Sequence, residues 1–339
     1  MADDDLRVGL VGYGMAGRDI HGPLLRATEG LWVTHVVTAN EARARAASQE
    51  MTGARVVSAY DELPADLDLV VLASPNHVHV EQARAAVERG IAVVVDKPLA
   101  TSLTDAQDLV DLASRLRVPL TVFQNRRWDS EHLTVRRLVA ERRLGDVVRY
   151  EARYERWRPV PKTRWRENLS TDEGGGLLHD LQSHLVDSAV DLFGPVVSVY
   201  AELAALSTRG DDVTFLALEH RSGVRSHLGA TSLAGAPGPS TRLLGRAGAY
   251  VVANVGDEWS PHTDWADRDD GHRGWLVHGE ERHPVRREAG GWDDFYRAVL
   301  AMVRDGAPPP VDPRDAVHVV EVLDAARRSA RQGSTARLG

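Results

Sequence analysis

Lys97 is the residue whose type and position most directly indicate chemistry in this chain of 339 residues. It lies between Asp96 and Pro98, directly after the apolar run 91–95, which predicts a buried strand that the proline ends. The carboxyl ends of parallel strands line the crevice in which open α/β sheets hold their ligands. We therefore predict that Lys97 is a functional group in such a crevice and not a solvated surface lysine.

A second set of reactive side chains follows three consecutive glycines at 174–176. Asp180 and His184 are four residues apart, with Asp187 three residues further, so a regular helix would place them on one face. A carboxylate near an imidazole can move a proton near neutral pH, and the glycines would let a ligand approach the backbone at the helix start. The alternative is an ordinary helix start, in which Asp180 favours the helix dipole and His184 is a polar surface residue.

The segment 6–17 predicts a nucleotide-binding element. An apolar strand at 6–11 runs directly into Gly12-Tyr13-Gly14-Met15-Ala16-Gly17, and a helical pattern follows. In this dinucleotide-binding fingerprint the first glycine permits a tight turn, the second lets the backbone approach a pyrophosphate, and the third lets the helix pack closely. The phosphates would lie at the helix N-terminus. A chance glycine-rich loop is the alternative, which the flanking strand and helix disfavour.

Strands and helices alternate regularly through the first third of the chain. Apolar runs predict strands at 6–11, 32–38, 68–73, 91–95 and 118–123. Helical patterns lie at 15–28, 41–50, 79–89 and 104–116. This order predicts an α/β fold with a doubly wound parallel sheet that ends near residue 124.

The second part of the chain has longer strands in which apolar and polar residues alternate. These strands, at 147–156, 196–206, 213–220 and 224–232, predict an α+β domain with a large, mostly antiparallel sheet and one open face. We interpret the polar stretch 256–291 as an extended loop, and prolines 308–310 as a stiff linker into a helix at 313–331. The predicted domains are residues 1–124 and 125–312, with a C-terminal helix in 313–339 that packs back on the first domain.

Composition excludes several classes of protein. The formal net charge is −8 with scattered basic residues, so neither nucleic acid nor a membrane surface is an expected partner. No apolar stretch approaches the roughly 20 residues that a bilayer requires, and the acidic residues 3–5 are unlike a signal peptide, so we expect a cytoplasmic protein. Cysteine is absent, and histidines 262, 272, 278 and 283 lack ligand spacing, so no metal site is expected.

Polar residues after two further strands are additional candidates. Ser74, Pro75, Asn76 and His79 follow the strand at 68–73 and could contact a cofactor, although a plain strand-to-helix turn would look the same. Four residues shortly after the strand at 118–123 are candidate substrate contacts, namely Asn125, Arg126, Arg127 and Trp128. The alternative is a group of solvated arginines. Trp157 is a fifth candidate substrate contact.

The end of the second strand bears on the choice of cofactor. NAD-specific sites place an acidic residue there, on the ribose 2′-hydroxyl, whereas this chain has Thr38-Ala39-Asn40. Arg43 and Arg45 follow within the first turns of the next helix, where a 2′-phosphate would meet positive charge. We predict that NADP is preferred over NAD; dual specificity is the alternative, if both arginines face solvent.

These motifs together resemble the glucose-fructose oxidoreductase, inositol dehydrogenase and MocA-like (Gfo/Idh/MocA) family. The resemblance covers nearly the whole chain and rests on the fingerprint, on His21-Gly22-Pro23, on Ser74-Pro75-Asn76 with His79, on Asp96-Lys97-Pro98, and on residues 174–187. Two positions depart from the family pattern. Asp96 stands where the family usually has Glu, and Gln182 stands where members often have Gly.

The resemblance implies a Rossmann domain joined to a C-terminal α/β domain whose open sheet forms a homodimer or homotetramer. It implies that a sugar or cyclitol carbon passes hydride to a nicotinamide ring, which residues 12–17, 38–40, 43, 74–76, 79, 96 and 97 would hold. Lys97 would stabilise the alkoxide, Asp180 would orient substrate or imidazole, and His184 would take the proton. A cofactor-binding sensor without turnover and a hydrolytic relative that uses the nicotinamide transiently remain alternatives.

Overall fold

The computed structural model describes residues 4–161, 165–253 and 271–339, without the side chains of residues 165 and 166. The chain divides into two compact units. Met1–Asn125 and Gly291–Val320 form the first unit, and Arg126–Gly290 and Glu321–Gly339 form the second. Within the described ranges, no helix combines the length and the apolar character that crossing a bilayer requires.

The first unit contains a six-stranded parallel sheet in the order β3-β2-β1-β4-β5-β6. Its strands are β1 (Leu6–Val11), β2 (Leu31–Val37), β3 (Arg55–Val57), β4 (Leu69–Leu72), β5 (Ala92–Asp96) and β6 (Leu120–Phe123). Every residue of β4 and β6 is buried. That burial explains why these strands are uninterrupted apolar runs, because helices cover both faces of a parallel sheet. The predicted doubly wound sheet is confirmed.

Helices follow the strands at the predicted positions. They are α1 (Gly22–Ala27), α2 (Glu41–Glu50), α3 (His79–Glu88) and α4 (Leu103–Leu116). Local chemistry sets their starts: the Ser102 side chain accepts the amide of Asp105 at 3.2 Å at the start of α4. A π-helical turn, Ala16–His21, precedes α1, so the segment after the fingerprint is not a regular helix throughout.

The point where strand order reverses lies beside β1. This strand pairs with β2 on one side and with β4 on the other. In doubly wound sheets the ligand crevice opens at this point, outside the carboxyl ends of the strands. The fingerprint follows β1, and Thr38 follows β2. Ser74 lies shortly after β4, and Lys97 follows β5.

The second domain boundary differs from the sequence prediction. Residues 291–320 belong to the first unit, and only 321–339 belong to the second. The missed element is α8 (Asp293–Asp305), whose Phe295 and Tyr296 are fully buried and pack on Phe123 of β6, with ring centroids 4.9 and 5.9 Å apart. Its contacts lie about 170 residues away along the chain, so local periodicity does not assign it to a domain.

The predicted C-terminal helix is α9 (Pro313–Gln332), and it belongs to both units. Ala316 and Val320 join the core of the first unit, as expected for a helix that packs on the first domain. Further along, buried Ser329 accepts the amide of Ala201 at 3.0 Å in the second unit. The helix therefore does not form a separate C-terminal segment, because its two halves bury side chains in different cores.

The second unit contains a nine-stranded, mostly antiparallel sheet in the order β14-β13-β12-β11-β7-β10-β9-β8-β15. Only β7 and β10 pair in parallel among its described strands. The strands are β7 (Val147–Glu155), β8 (Val196–Ala204), β9 (Val213–His220), β10 (Arg225–Thr231), β11 (Thr241–Gly245), β12 (Ala249–Val252), β13 (His272–His278), β14 (Glu281–Arg286) and β15 (Ala336–Arg337). The predicted mostly antiparallel sheet is confirmed.

The loop predicted at 256–291 is wrong over its second half. Residues 272–278 and 281–286 form the antiparallel pair β13 and β14, and residues 254–270 lie outside the described part of the chain. These strands carry charged and histidine side chains at an edge of the sheet, so they lack the apolar alternation that identifies a strand in sequence.

Three further helices belong to the second unit, α5 (Ser130–Ala140), α6 (Trp165–Asn168) and α7 (Ser183–Phe193). A π-helical turn, Leu178–Gln182, leads into α7. Most residues of α7 are buried, and Phe193 packs on Tyr150 of β7 with a centroid separation of 5.4 Å. This helix carries His184, so its packing determines where that side chain is held.

We predict that Phe295→Ala destabilises the first unit by about 4 kcal/mol, because it removes a fully buried ring from the contact between α8 and β6. Chemical denaturation of the purified protein measures the change. Arg297→Ala on the exposed face of the same helix is the control and should have little effect. Equal effects of the two substitutions would contradict the assignment of α8 to this core.

Candidate functional site

Two of the fingerprint glycines are required by close packing of the backbone. Gly12 has a φ of +93°, and a Cβ there would lie 2.5 Å from the carbonyl oxygen of Ala73. A Cβ at Gly17 would overlap the carbonyl oxygen of Gly12. Any side chain at these positions would therefore separate β1 from the segment after β4 or from the helical turn after the fingerprint.

Gly14 has a different environment, which fits a bound cofactor. A Cβ at this position would meet no atom closer than Nη1 of Arg43, at 3.7 Å. Only a flexible side chain, and no backbone segment, thus lies against Gly14, as the second fingerprint glycine requires if a pyrophosphate is to approach. The described residues therefore fit a dinucleotide, with the phosphates over Gly14 and the helical turn that starts at Ala16.

The Tyr13 side chain stabilises the fingerprint loop from the interior of the first unit and is not exposed to a cofactor. It is buried, and its hydroxyl donates to Oε2 of Glu50 at 2.9 Å. Arg18 Nε also donates to this carboxylate, at 2.9 Å. Burial and the neighbouring carboxylate raise the pKa of Tyr13 to about 12, so the phenol remains a donor. The predicted cofactor contact of Tyr13 is thereby limited to its backbone.

The start of α2 is organised by Asn40. Its Oδ1 accepts the amide of Arg43 at 3.0 Å, which caps the helix and places Arg43 in the first turn. The Arg43 guanidinium lies beside Gly14. Arg45 instead lies 3.6 Å from Oε2 of Glu41 in an exposed ion pair. Arg43, and not Arg45, is therefore the arginine next to the phosphate loop.

His79 lies beneath the crevice and not at its rim. Its side chain is fully buried, with Nε2 2.9 Å from the Ser74 carbonyl oxygen and Nδ1 3.1 Å from the Pro98 carbonyl oxygen. Ser74 also donates from its hydroxyl to Oε1 of Gln82 at 2.6 Å. The predicted contact of His79 with the cofactor is replaced by a supporting role, because its ring connects the segments after β4 and β5.

Lys97 follows the end of β5, where its peptide bond to Pro98 is cis. The backbone amide of Lys97 donates to Oδ1 of Asp96 at 2.9 Å, so the shorter acid at this position caps the end of its own strand. Pro75 and Asn76 begin a 3₁₀ turn after β4, the strand next to β5. The predicted cofactor residues of the first unit therefore lie at one end of one sheet.

Gly176, the last of the three consecutive glycines, is required by a contact inside the second unit. A Cβ at Gly176 would overlap Oδ1 of Asp211, and Oδ2 of this aspartate accepts the amide of Leu178 at 2.6 Å. Thr171 also donates its hydroxyl to Asp211, at 2.6 Å. Gly176 thus lets an internal carboxylate approach the helix start. Burial raises the pKa of Asp211 despite these hydrogen bonds.

Asp180 and His184 lie in the second unit, on either side of the junction between a π-helical turn and α7. Asp180 is partly exposed and His184 is 8% exposed. The predicted regular four-residue spacing does not apply here, because the turn through Asp180 is wider than an α-helical turn. Such π-helical turns occur often at functional sites.

Gln182 stands where members of the family often have Gly, and internal hydrogen bonds accommodate its side chain. Its side chain is fully buried, and Nε2 donates to Thr214 Oγ1 on β9 at 3.0 Å and to the Leu228 carbonyl on β10 at 3.2 Å. The extra side chain therefore attaches the π-helical turn to the sheet.

The predicted substrate residues after β6 separate into different roles. Arg127 is buried and binds Asp187 with two hydrogen bonds, from Nε at 3.0 Å and from Nη2 at 2.7 Å. Its predicted substrate role is wrong, as is the solvated alternative, because this guanidinium is already paired with a carboxylate. Arg126 donates to Asp129 at 2.9 Å and lies over the Tyr154 ring, 5.8 Å from its centroid.

The remaining candidates differ in exposure. Asn125 is buried in the first unit, Trp128 is half-buried, and Trp157 is 63% exposed. Sequence reasoning missed His21, Tyr296 and Asp211, all of which have buried polar contacts near the predicted groups. His21 could have been found from its place in the motif 21–23, whereas no sequence signal marked Tyr296 or Asp211.

Comparison with known families identifies the chain. The model described as "Oxidoreductase family, NAD-binding Rossmann fold" matches residues 6–124, and "Oxidoreductase family, C-terminal alpha/beta domain" matches residues 136–338. The chain belongs to the Gfo/Idh/MocA oxidoreductase family. This membership confirms the resemblance and supports a nicotinamide cofactor on the first unit.

Several Gfo/Idh/MocA relatives span the whole chain. The uncharacterized oxidoreductase YdgJ of Escherichia coli is 35% identical, with 98% of each chain covered. The scyllo-inositol 2-dehydrogenase (NADP(+)) IolW of Bacillus subtilis is 28% identical, covering 99% of this chain and 96% of its own. The WlbA dehydrogenase of Bordetella pertussis, solved with NADH and UDP-GlcNAcA, is 26% identical with a TM-score of 0.83, covering 100% of this chain and 99% of its own.

Asp191 forms a cluster of ionisable side chains with His132 and Arg127, and its contribution to the free energy of unfolding should depend on pH. Asp191 lies 2.7 Å from Nε2 of His132 and 3.2 Å from Nη1 of Arg127. Burial raises the pKa of Asp191, but His132, Arg127 and Arg136 lower it by more, so it lies well below the ordinary value. The stabilisation is therefore fully present above the unfolded pKa of about 4 and is lost as pH falls toward the folded pKa.

We predict that Asp191→Asn lowers the free energy of unfolding by about 3 kcal/mol at pH 7, because it removes a carboxylate charge that contacts the buried Arg127 guanidinium and the buried His132 ring. The difference from the unsubstituted protein should shrink as pH falls below about 4. Urea denaturation across this range measures it. Asp172→Asn, which removes an exposed carboxylate, should change stability little at any pH. A difference for Asp191→Asn that does not depend on pH would contradict the assignment.

Proposed function

We propose that this protein is an NAD(P)-dependent dehydrogenase that transfers hydride between a nicotinamide cofactor and a hydroxyl or keto carbon of a sugar or cyclitol. The observation that carries the proposal is the position of Lys97 directly after β5, at the same end of the sheet as Gly14, where a Cβ would meet no backbone atom. A cationic group beside a cofactor cradle can stabilise the negative oxygen that develops when a hydroxyl is oxidised. The names of IolW and WlbA supply precedents for cyclitol and sugar ligands in relatives.

The proposed catalytic set is Lys97, Asp180 and His184. The cofactor supplies the hydride acceptor or donor, and residues 12–17, 38–40, 43 and 74–76 of the first unit would hold it. Lys97 stabilises the alkoxide oxygen of the substrate. Partly exposed Asp180 orients the substrate or the imidazole, and His184 accepts the hydroxyl proton in oxidation and returns it in reduction. In the reducing direction, Lys97 polarises the carbonyl oxygen.

A screen for turnover tests the function directly. Cyclitols, aldoses and keto-sugars are supplied with each nicotinamide cofactor, and the absorbance of the reduced cofactor is followed. Cofactor binding without turnover on any member of the panel would favour the sensor. Cleavage of a glycoside without net reduction of cofactor would favour the hydrolytic alternative.

We predict that Lys97→Ala lowers kcat by about a hundredfold on the substrate found in that screen, because one charged stabiliser of an oxyanion is worth roughly 3 kcal/mol. Cofactor binding, followed by fluorescence, and the denaturation midpoint should remain near those of the unsubstituted protein. Turnover by Lys97→Ala at the original rate would show that Lys97 is not catalytic.

We also propose that NADP is the preferred cofactor. The position of Arg43 beside Gly14, with Thr38, Ala39 and Asn40 in place of an acidic residue, supports this choice. The relatives differ, since IolW is named for NADP(+) and WlbA was solved with NADH. The proposed preference for NADP therefore rests on the position of Arg43 beside Gly14 and not on the names of relatives.

We predict that Arg43→Ala weakens NADPH binding about tenfold or more and leaves NADH binding within a factor of about two, because only NADPH has a 2′-phosphate for the guanidinium. Fluorescence titration of both reduced cofactors measures the two dissociation constants. Arg45→Ala is the matched control, because this arginine is two residues away and is paired with Glu41. NADH binding more tightly than NADPH in the unsubstituted protein would contradict the preference.

Assembly of two or four copies through the sheet of the second unit is part of the same proposal. A groove of about 710 Å³ lies on that sheet and is lined by apolar side chains, Leu244, Val251 and Val277 among them, beside Arg153 and Glu155. A self-complementary surface needs both apolar contacts and paired charges. Light scattering during size-exclusion chromatography measures the number of copies.

A further inference from the structure

The residue before Lys97 has an unusual set of buried neighbours. Asp96 has a side chain only 16% exposed, at the end of β5. Its Oδ1 accepts the backbone amide of Lys97 at 2.9 Å. The same oxygen lies 3.8 Å from Nε2 of His21, which is beyond hydrogen-bond distance. One carboxylate oxygen of Asp96 therefore accepts the Lys97 amide and also lies near a buried imidazole.

The orientation of His21 is set from the opposite side by α8. His21 is fully buried, and its Nδ1 lies 2.6 Å from the hydroxyl oxygen of Tyr296. Burial and the Asp96 charge raise the pKa of Tyr296 well above its ordinary value, so the hydroxyl keeps its proton. When this hydroxyl donates to Nδ1, the single proton of a neutral imidazole is on Nε2 and points toward Asp96.

A second histidine lies near the same carboxylate. His79 connects the Ser74 and Pro98 carbonyls, and the Asp96 charge acts on it as well. Burial raises the pKa of Asp96, but His21, Lys97 and His79 lower it by more, so the carboxyl group is ionised at neutral pH. The mostly buried Asp96 carboxylate, one residue before Lys97, is thus negatively charged.

We propose that Asp96 is a positioning residue for Lys97, with its charge held in place by His21 and, through His21, by Tyr296. The proposal rests on the catalytic role of Lys97 proposed above. Asp96 performs two tasks: its oxygen caps the Lys97 amide, and its charge orients the Lys97 ammonium. His21 and Tyr296 have no contact with substrate in this scheme and act through Asp96. The cluster joins the segment after the fingerprint, β5 and α8.

The lysine content of the chain makes a direct observation possible. The chain has 41 lysines and arginines, of which only Lys97 and Lys162 are lysines. Reductive methylation with ¹³C-formaldehyde therefore gives two side-chain signals by NMR, and Lys162→Arg assigns them. In the unsubstituted protein we expect the Lys97 methyl signal to differ from that of free dimethyl-lysine. Lys162 serves as the internal reference in every variant.

The decisive variant is Asp96→Asn, because an amide oxygen can still accept the Lys97 amide while the charge is lost. We expect its Lys97 signal to move toward that of free dimethyl-lysine, and kcat to fall about tenfold or more, with the dissociation constant of the cofactor changing much less. Asp96→Glu keeps the charge and should restore the signal and most of kcat. Tyr296→Phe should shift the Lys97 signal in the same direction by a smaller amount.

Asp68→Asn is the matched control, because Asp68 also accepts a backbone amide of the same sheet, that of Arg7 at 2.7 Å, just before β4 begins. It should leave the Lys97 signal and kcat unchanged. An unchanged Lys97 signal in a folded Asp96→Asn protein, or failure of Asp96→Glu to restore it, would overturn the proposal. If Lys97→Ala remains active while Asp96→Asn moves the Lys97 signal, the catalytic role of Lys97 fails and the positioning contact stands.

Discussion

The close approach of three backbone segments at the end of β1 is the constraint on which the candidate site depends. Gly12 lies against the Ala73 carbonyl, and Gly17 lies against the Gly12 carbonyl, at distances that no side chain would permit. This packing brings the start of the first helical turn to the end of the strand. It also leaves Gly14 free of contact with other backbone segments at the point where the strand order reverses. The cofactor cradle is therefore a consequence of backbone contacts that only glycine allows.

Buried polar contacts hold the working residues of the first unit. Glu50 anchors Tyr13 and Arg18 below the fingerprint, His79 connects the segments after β4 and β5, and Asp96 caps the Lys97 amide. Each of these groups would cost free energy if buried without a partner, so each contact favours one arrangement of the loops. Loops that are held in this way can present a catalytic side chain with little further reorganisation.

The second unit uses internal charges in a similar manner. Asp211 occupies the start of the helical segment that carries Asp180 and His184, and the Arg127 pair with Asp187 anchors its far side. The expected ligand contact of Arg127 was wrong because its guanidinium is paired inside the protein. A glycine run or an arginine in a sequence is equally compatible with an external ligand and with an internal carboxylate, and only the tertiary partner distinguishes the two.

The sequence by itself determined the features that depend on neighbours along the chain. The parallel sheet, the fingerprint, the strand end at Lys97 and the family all follow from local periodicity and short motifs, because β-strands and helix starts have local signatures. Only the tertiary structure decided the place of α8, the roles of Arg127 and Gly176, and the environment of Asp96. Tyr296 lies 275 positions after its partner His21. A contact of that separation is selected by packing of the complete core, and no local pattern encodes it.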